Sequence, residues 1–335
     1  MTAQRQIPRA EMAPFRIDPK FDTRVWGYRD LRPWFDRVAD SDPIGEAWLT
    51  GDMCLVPTGP HAGKRLDALF VEAHEELLGA GVPSPQSPLL IKVLFAKEKL
   101  SVQVHPDDKM AQKYGDPRGK TECWYALAAG PEAEVAVGLK PGASLEQVKE
   151  GIHAGTLEAS LNMLPVAAGD LIFVDAGTVH AIWQGSILLE TQQNCDLTYR
   201  MYDYGRGREL HIEKSLEATK LVTRAGKVAP RVLADRTILI DAEYFRVERI
   251  PVSGSRTSDS LRGPGGSKEA EAAAGLAYLF AASGTGRIAG AGFDTVDLPA
   301  RGIVAVPAAS PAFTVEDLGG LDLIRITPNW PGLPV

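Results

Sequence analysis

The chain has 335 residues, room for two cores at about 150 residues each, and its 44% hydrophobic and 24% charged content excludes a disordered protein. Its 36 basic and 43 acidic side chains leave a net charge of −7, which opposes a broad polyanion-binding field and excludes nucleic acid as an expected partner. A few local Lys and Arg can still hold a small anion. From Met1 to Asp22 the sequence is polar, with Arg5, Arg9 and Arg16 and no apolar signal-peptide segment, and no 18-residue apolar run follows anywhere. A soluble, cytoplasmic protein without a membrane partner is expected.

Leu66, Leu69, Phe70, Ala73, Leu77 and Leu78 recur at helical spacing and predict one amphipathic helix, ended by Gly79, Gly81 and Pro83. Leu89 to Ala96 reads as a buried strand and Leu100 to His105 as an alternating one. Ser144 and Gln147 form a capping box that starts a short helix. From Gly169 to Tyr202 three short strands are expected, and residues 213–230 read as helical. Tyr244 to Val252 alternates as a strand, whereas 253–274 has the composition of a long surface loop. Strand-like segments at 276–282, 302–306, 312–315 and 321–326 close the chain. The 33 glycines and 24 prolines, about a sixth of the sequence, suit many short elements joined by tight turns, hence β structure. Cys54, Cys123 and Cys195 are odd in number and form no C-x-x-C pair, so reduced thiols are expected.

Leu298 to Pro307 echoes Val166 to Asp175: a turn, an apolar strand and a second turn. Two β units of one plan follow from this, an N-terminal one at 1–230 and a smaller one at 231–335. No histidine occurs after His211, so chemistry is expected in the first unit only.

Gln103 and His105 are two apart and share one face of a strand. Glu122 lies on the next predicted strand and His180 beyond the turn after Leu171–Val174. Two imidazoles, one carboxylate and one amide oxygen from separate strands form a set able to enclose a divalent metal with a position left for water or substrate.

Gly169, Asp175, Ala176, Gly177 and His180 resemble the second cupin motif, G-x5-P-x-G-x2-H, with Asp175 in place of its proline. The first motif departs further, since Gln103-x-His105 replaces His-x-His and Glu122 lies seventeen residues on. Leu100 to Asp108, Gly119 to Tyr125, Gly177 to Ile182 and Glu190 to Asp203 together resemble type I mannose-6-phosphate isomerases of the short bacterial form. Arg24 to Gly27 and Ile44 to Trp48 resemble that family's opening. The resemblance implies a mainly β fold of two cupin-like barrel units, with a few helices packed on the N-terminal one. It implies one zinc ion per chain on Gln103, His105, Glu122 and His180, and a small phosphorylated sugar as substrate. By the same resemblance Arg200 is the catalytic arginine, and Ser101, Lys120 and Glu190 lie in the substrate site. The chemistry adds Glu190 as candidate base, with a metal-bound water as the rival, and Lys120 and Arg200 as fixed positive charge, Arg200 either against developing negative charge or on the substrate's phosphate. The expected reaction is interconversion of mannose 6-phosphate and fructose 6-phosphate by proton transfer through an enediol or enediolate, and the oligomeric partner is left open.

Two histidines and one carboxylate also describe a non-haem iron oxygenase site, but Gln103 as a fourth ligand fills a position dioxygen would need. A sugar-phosphate-binding cupin without turnover is the other alternative, opposed by the complete set of Lys120, Glu190 and Arg200. Gly115 to Thr121 falls one residue short of a phosphate-binding G-x4-G-K-[ST] loop and leads into a predicted strand, and Gly284 to Gly286 reads as a turn.

Overall fold

A computed structural model describes residues 12–79, 82, 85–262 and 275–329. The chain forms two compact units, one made of residues 21–48 and 90–229, the other drawn from 1–20, 49–89 and 230–335. Both are cupin-like, with two antiparallel sheets around an apolar core.

In the first unit the seven-stranded sheet runs in the order Gly226–Lys227, Leu171–Val174, Glu122–Ala129, Ser186–Gln193, Leu89–Ala96, Ile44–Trp48 and Lys20–Tyr28. The five-stranded sheet has the order Tyr199–Tyr202, Val102–Val104, His180–Ile182, Glu134–Leu139 and Leu161–Pro165. Trp26, Leu94, Trp124 and Ile172 of the larger sheet meet Val135, Val137 and Ile182 of the smaller in one core. The opposite face of the smaller sheet is apolar too. There Val102, Val104, Ala181 and Met201 pack with Val148 and Ile152 of the helix Leu145–Ala154 and Ala218 of the helix Ile212–Ala218. Alternation along Val102, Gln103 and Val104 therefore sends the valines under the helices and leaves Gln103 on the inward face. The capping box forms as expected: Ser144 Oγ accepts from Gln147 N, and Gln147 Oε1 accepts from Ser144 N.

The second unit pairs Phe15–Ile17, Ile303–Val306, Ala277–Ser283, Asp322–Pro328, Phe245–Pro251, Thr237–Asp241 and Arg231–Val232 in one sheet. Ser255–Thr257, Phe313–Asp317, Gly286–Gly290 and Val296–Leu298 make the other. Ile250, Leu279, Val304 and Leu323 pack there against Ile288, Leu298 and Val315. The internal echo is visible in the backbone: Gly169 and the aligned Arg301 both take positive φ, +92° and +62°, just before the strands Leu171–Val174 and Ile303–Val306. In this unit the strand Phe245–Pro251 buries Glu248 between Arg325 at 2.8 Å, Arg246 at 2.9 Å and Arg236 at 3.5 Å.

Several elements differ from the sequence expectation. The helix over residues 66–78 is two helices, Leu66–Glu72 and His74–Leu78, because buried Ala73 leaves helical dihedrals at φ −140°, ψ 42°. The stretch 169–202 carries four strands, the turn at Asp175–Thr178 dividing Leu171–Val174 from His180–Ile182. Helix persists only over Ile212–Ala218 of the 213–230 segment, whose end instead adds Gly226–Lys227 to the seven-stranded sheet. The expected loop at 253–274 opens with the strand Ser255–Thr257 and the helix Ser258–Arg262, and its remainder, 263–274, lies outside the described residues. Gly286–Gly290 and Val296–Leu298 are further strands not anticipated.

Candidate metal centre and substrate cavity

Gln103, His180 and Arg200 stand side by side in the five-stranded sheet, Gln103 in register with His180 on one flank and with Arg200 on the other. Glu122 begins the facing strand of the seven-stranded sheet, and His105 lies just beyond the end of Val102–Val104. One ligand atom from each of His105, Glu122 and His180 falls within 4.8 Å of the others. His105 Nε2 is 3.6 Å and His180 Nε2 3.5 Å from the Glu122 carboxylate, and all three side chains are buried.

Backbone carbonyls fix the tautomers. His105 Nδ1 donates to Leu197 O at 2.8 Å and His180 Nδ1 to Thr178 O at 2.9 Å, so both Nε2 lone pairs face the cluster. The Gln103 amide donates to His180 Nε2 at 3.2 Å, and a half-turn of that amide brings its oxygen to the same place. Burial keeps both imidazoles neutral, His105 well below its ordinary range and His180 down to about 4. His105 Nε2 and Glu122 Oε1 are buried without a hydrogen-bond partner, a cost a folded protein rarely carries unless a ligand relieves it. The donor set therefore fits a divalent cation of borderline softness, held by nitrogen and oxygen.

Gln103, bonded to His180, and Lys120, paired with Glu122, line a cavity of about 590 Å³ together with Ser101, Trp124, Glu190 and Arg200 among others. Every residue singled out from the sequence for substrate or catalysis is on its wall. Lys120 Nζ lies 3.0 Å from Glu122 Oε2; burial works against the ammonium, but Glu122 and Glu190 outweigh it and raise its pKa. Glu190 Oε1 accepts from Trp124 Nε1 at 3.1 Å and its other oxygen is 3.6 Å from Lys92 Nζ. Burial, with Glu122 nearby, raises the Glu190 carboxyl even against Lys120 and Lys92. Arg200 donates through one terminal nitrogen to Glu209 O at 2.9 Å, while its Nε is buried without a partner.

The same wall carries residues absent from the sequence-derived set: Arg24, Glu46, Lys92, Asp196 and Arg208. Lys92 is the hub of these. Its ammonium is buried within 3.2 Å of Asp196, 3.6 Å of Glu190 and 3.8 Å of Glu46, three carboxylates that together overcome desolvation and raise its pKa. One signal for it exists in the sequence, a lone lysine inside an otherwise wholly apolar strand. Outside the cavity, Asp108 Oδ1 accepts from Gly119 N at 2.7 Å and from Gln193 Nε2 at 2.9 Å, and Gln193 Oε1 accepts from Thr121 N at 2.9 Å. That knot ties down the segment bearing Lys120 and Glu122. Gly119 has no room for a side chain, since a Cβ there would lie 2.4 Å from the Asp107 carbonyl carbon.

Residues 15–142 match the family model for the catalytic domain of type I phosphomannose isomerase. A probable mannose-6-phosphate isomerase of Bacillus subtilis is 34% identical over 322 residues, 90% of this chain and 96% of that protein. The mannose-6-phosphate isomerase of Streptococcus mutans is 37% identical over 256 residues, 72% of this chain and 80% of its own length. Among solved structures, the mannose 6-phosphate isomerase of Bacillus subtilis superposes with a TM-score of 0.81 at 31% identity, covering 94% of this chain and 99% of that one. With a relative that similar along nearly its whole length and a shared fold, the chain belongs to the type I phosphomannose isomerase family and is an isomerase.

Proposed function

We propose that the chain interconverts D-mannose 6-phosphate and D-fructose 6-phosphate with one Zn2+ bound by Gln103, His105, Glu122 and His180. The observation that carries the reading is the pair of neutral imidazoles around a buried carboxylate, next to Gln103 and Lys120 on the wall of a cavity rich in cations. When bound, the zinc supplies Lewis-acid charge that lowers the cost of negative charge on the substrate's C1 and C2 oxygens. The chain's own residues do the rest. Glu190, a desolvated carboxylate with a raised pKa, is a stronger base than a surface glutamate. It takes the C2 proton and returns it to C1 on the same face of a cis-enediol. Trp124 and Lys92 hold that carboxylate in place. Lys120, kept charged by Glu122 and Glu190, offers preorganised positive charge as the enediolate forms. Ser101 and Arg200 bind the substrate, and Arg200, in register with Gln103, also faces developing charge. A cytoplasmic setting is part of the same proposal. Separately, no helix among the described residues is long and apolar enough to cross a membrane.

Metal analysis joined to a coupled assay of mannose 6-phosphate isomerisation tests the reading. One zinc per chain and turnover abolished by chelation are expected. Run in heavy water, the reaction should place solvent deuterium at C1 of fructose 6-phosphate. Full retention of a C2 label in the product would mean a hydride shift and remove the base role from Glu190.

A further inference from the structure

We propose that Arg208 is a phosphate-holding guanidinium of this cavity, positioned by Asp203, and that it selects sugars bearing a dianion at the end remote from the carbonyl. The proposal rests on the sugar-phosphate reading above and adds to it a residue and a basis for selectivity.

The cations of the cavity divide into two groups. Arg24 is paired with Glu46 through contacts of 3.1 and 3.0 Å, Lys92 is surrounded by Asp196, Glu190 and Glu46, and Lys120 sits on Glu122. Those charges are already answered by carboxylates of the cavity wall or, for Lys120, by Glu122. Arg200 has no carboxylate in ion-pair contact among the described residues, and its buried Nε is without a partner. Arg208 lines the same cavity, but its carboxylate, Asp203, is not part of the cavity wall. Nε of Arg208 donates to Asp203 Oδ2 at 2.8 Å and one terminal nitrogen to Oδ1, which occupies one edge of the guanidinium and leaves the other edge free for a ligand. Arg208 is also close enough to Arg200 to disfavour its charge, second only to burial. The edge of Arg208 that Asp203 leaves open, on the wall of a cavity whose Arg200 is paired by no carboxylate among the described residues, suits a phosphate dianion.

The loop between Asp203 and Arg208 is built to hold that geometry. Tyr204, Gly205 and Gly207 all take positive φ, at +56°, +73° and +76°, which turns the chain back so that Arg208 reaches the buried Asp203. Arg206 pins the turn by donating to Lys99 O at 2.8 Å, next to Leu100 and Ser101 of the cavity wall.

Steady-state kinetics on zinc-loaded Arg208→Ala, with mannose 6-phosphate, with unphosphorylated mannose and with inorganic phosphate as inhibitor, tests the assignment. Loss of one charge-assisted contact should raise KM for mannose 6-phosphate about 10- to 100-fold and weaken phosphate inhibition by a similar factor. Turnover, zinc content and kcat/KM for mannose should stay within about threefold of wild type, and Arg208→Lys should recover part of the loss. An equal fall on both sugars, or unchanged inhibition by phosphate, would reduce the Arg208 and Asp203 pair to a brace for the loop and overturn the proposal. Should Arg208→Ala not fold with Asp203 left buried and charged, the double variant Arg208→Met with Asp203→Asn removes both charges and is read in the same way. A wild-type chain inactive on mannose 6-phosphate would refute the underlying reading instead, and phosphate affinity would still report on Arg208.

Discussion

Acidification is the perturbation whose outcome the buried histidines set most sharply. An ordinary histidine pair with pKa near 6.5 is about 76% neutral per ring at pH 7 and about 3% at pH 5, so a metal needing both lone pairs would lose about 600-fold in affinity between those values. Here His180 is lowered to about 4 and His105 well below its usual value, chiefly by burial. Both rings therefore remain mostly neutral at pH 5. Zinc affinity, measured by competition with a chelator corrected for its own protonation, should change less than about tenfold from pH 7 to pH 5 and fall steeply only near pH 4. The same shift destabilises the metal-free fold in acid. Because the folded pKa lies below the unfolded one, the unfolded chain binds more protons once pH drops under about 6.5. The stability present above that value is then lost as pH falls toward 4, with about 3 kcal/mol from His180 alone. Urea midpoints of the metal-free protein at pH 7 and 4.5, compared with those of His180→Gln, read that term. A several-hundredfold loss of zinc affinity by pH 5 would refute the preorganised neutral site.

His105→Ala or His180→Ala should each abolish zinc binding by elemental analysis, and with no histidine beyond His211 no second site should remain; Gln103→Ala, losing a neutral amide, should only weaken binding. Arg200→Ala should lower turnover at least ~100-fold with zinc retained, in line with one preorganised electrostatic contact, and Arg200→Lys should recover part; a rise in KM alone would demote Arg200 to a phosphate anchor. Asp108→Ala, which cuts the bonds to Gly119 and Gln193, should weaken zinc about tenfold in chelator competition while leaving the urea midpoint of the metal-free protein nearly unchanged.

How much of this was legible in the sequence depends on whether a residue's role is local. Ser144 and Gln147 announce their helix because a capping box is made within four residues. Gln103 and His180 were readable as partners because strand alternation and cupin spacing fix which face they share. Lys92, by contrast, was passed over inside Leu89–Ala96, since a lysine in a buried strand makes sense only once Glu46, Glu190 and Asp196 are seen around it. Arg208 was hidden for a related reason: what distinguishes it is the positive φ of Tyr204, Gly205 and Gly207, which no hydrophobic period encodes. The helix expected over residues 66–78 rests on the helical spacing of apolar residues, and that spacing continues through buried Ala73 although the helix does not.

Glu122 belongs to one sheet of its unit, while Gln103 and His180 belong to the other, 77 positions apart in the chain from each other. An ion bound among them acts as a rivet between the sheets, closing a long loop that the unfolded chain would otherwise leave open. If zinc binds there as proposed, metal supply should govern the lifetime of the protein as well as its turnover. In zinc-poor cells the polypeptide should be cleared faster by proteases, and limited proteolysis with and without added zinc would register the difference even in a variant that cannot catalyse.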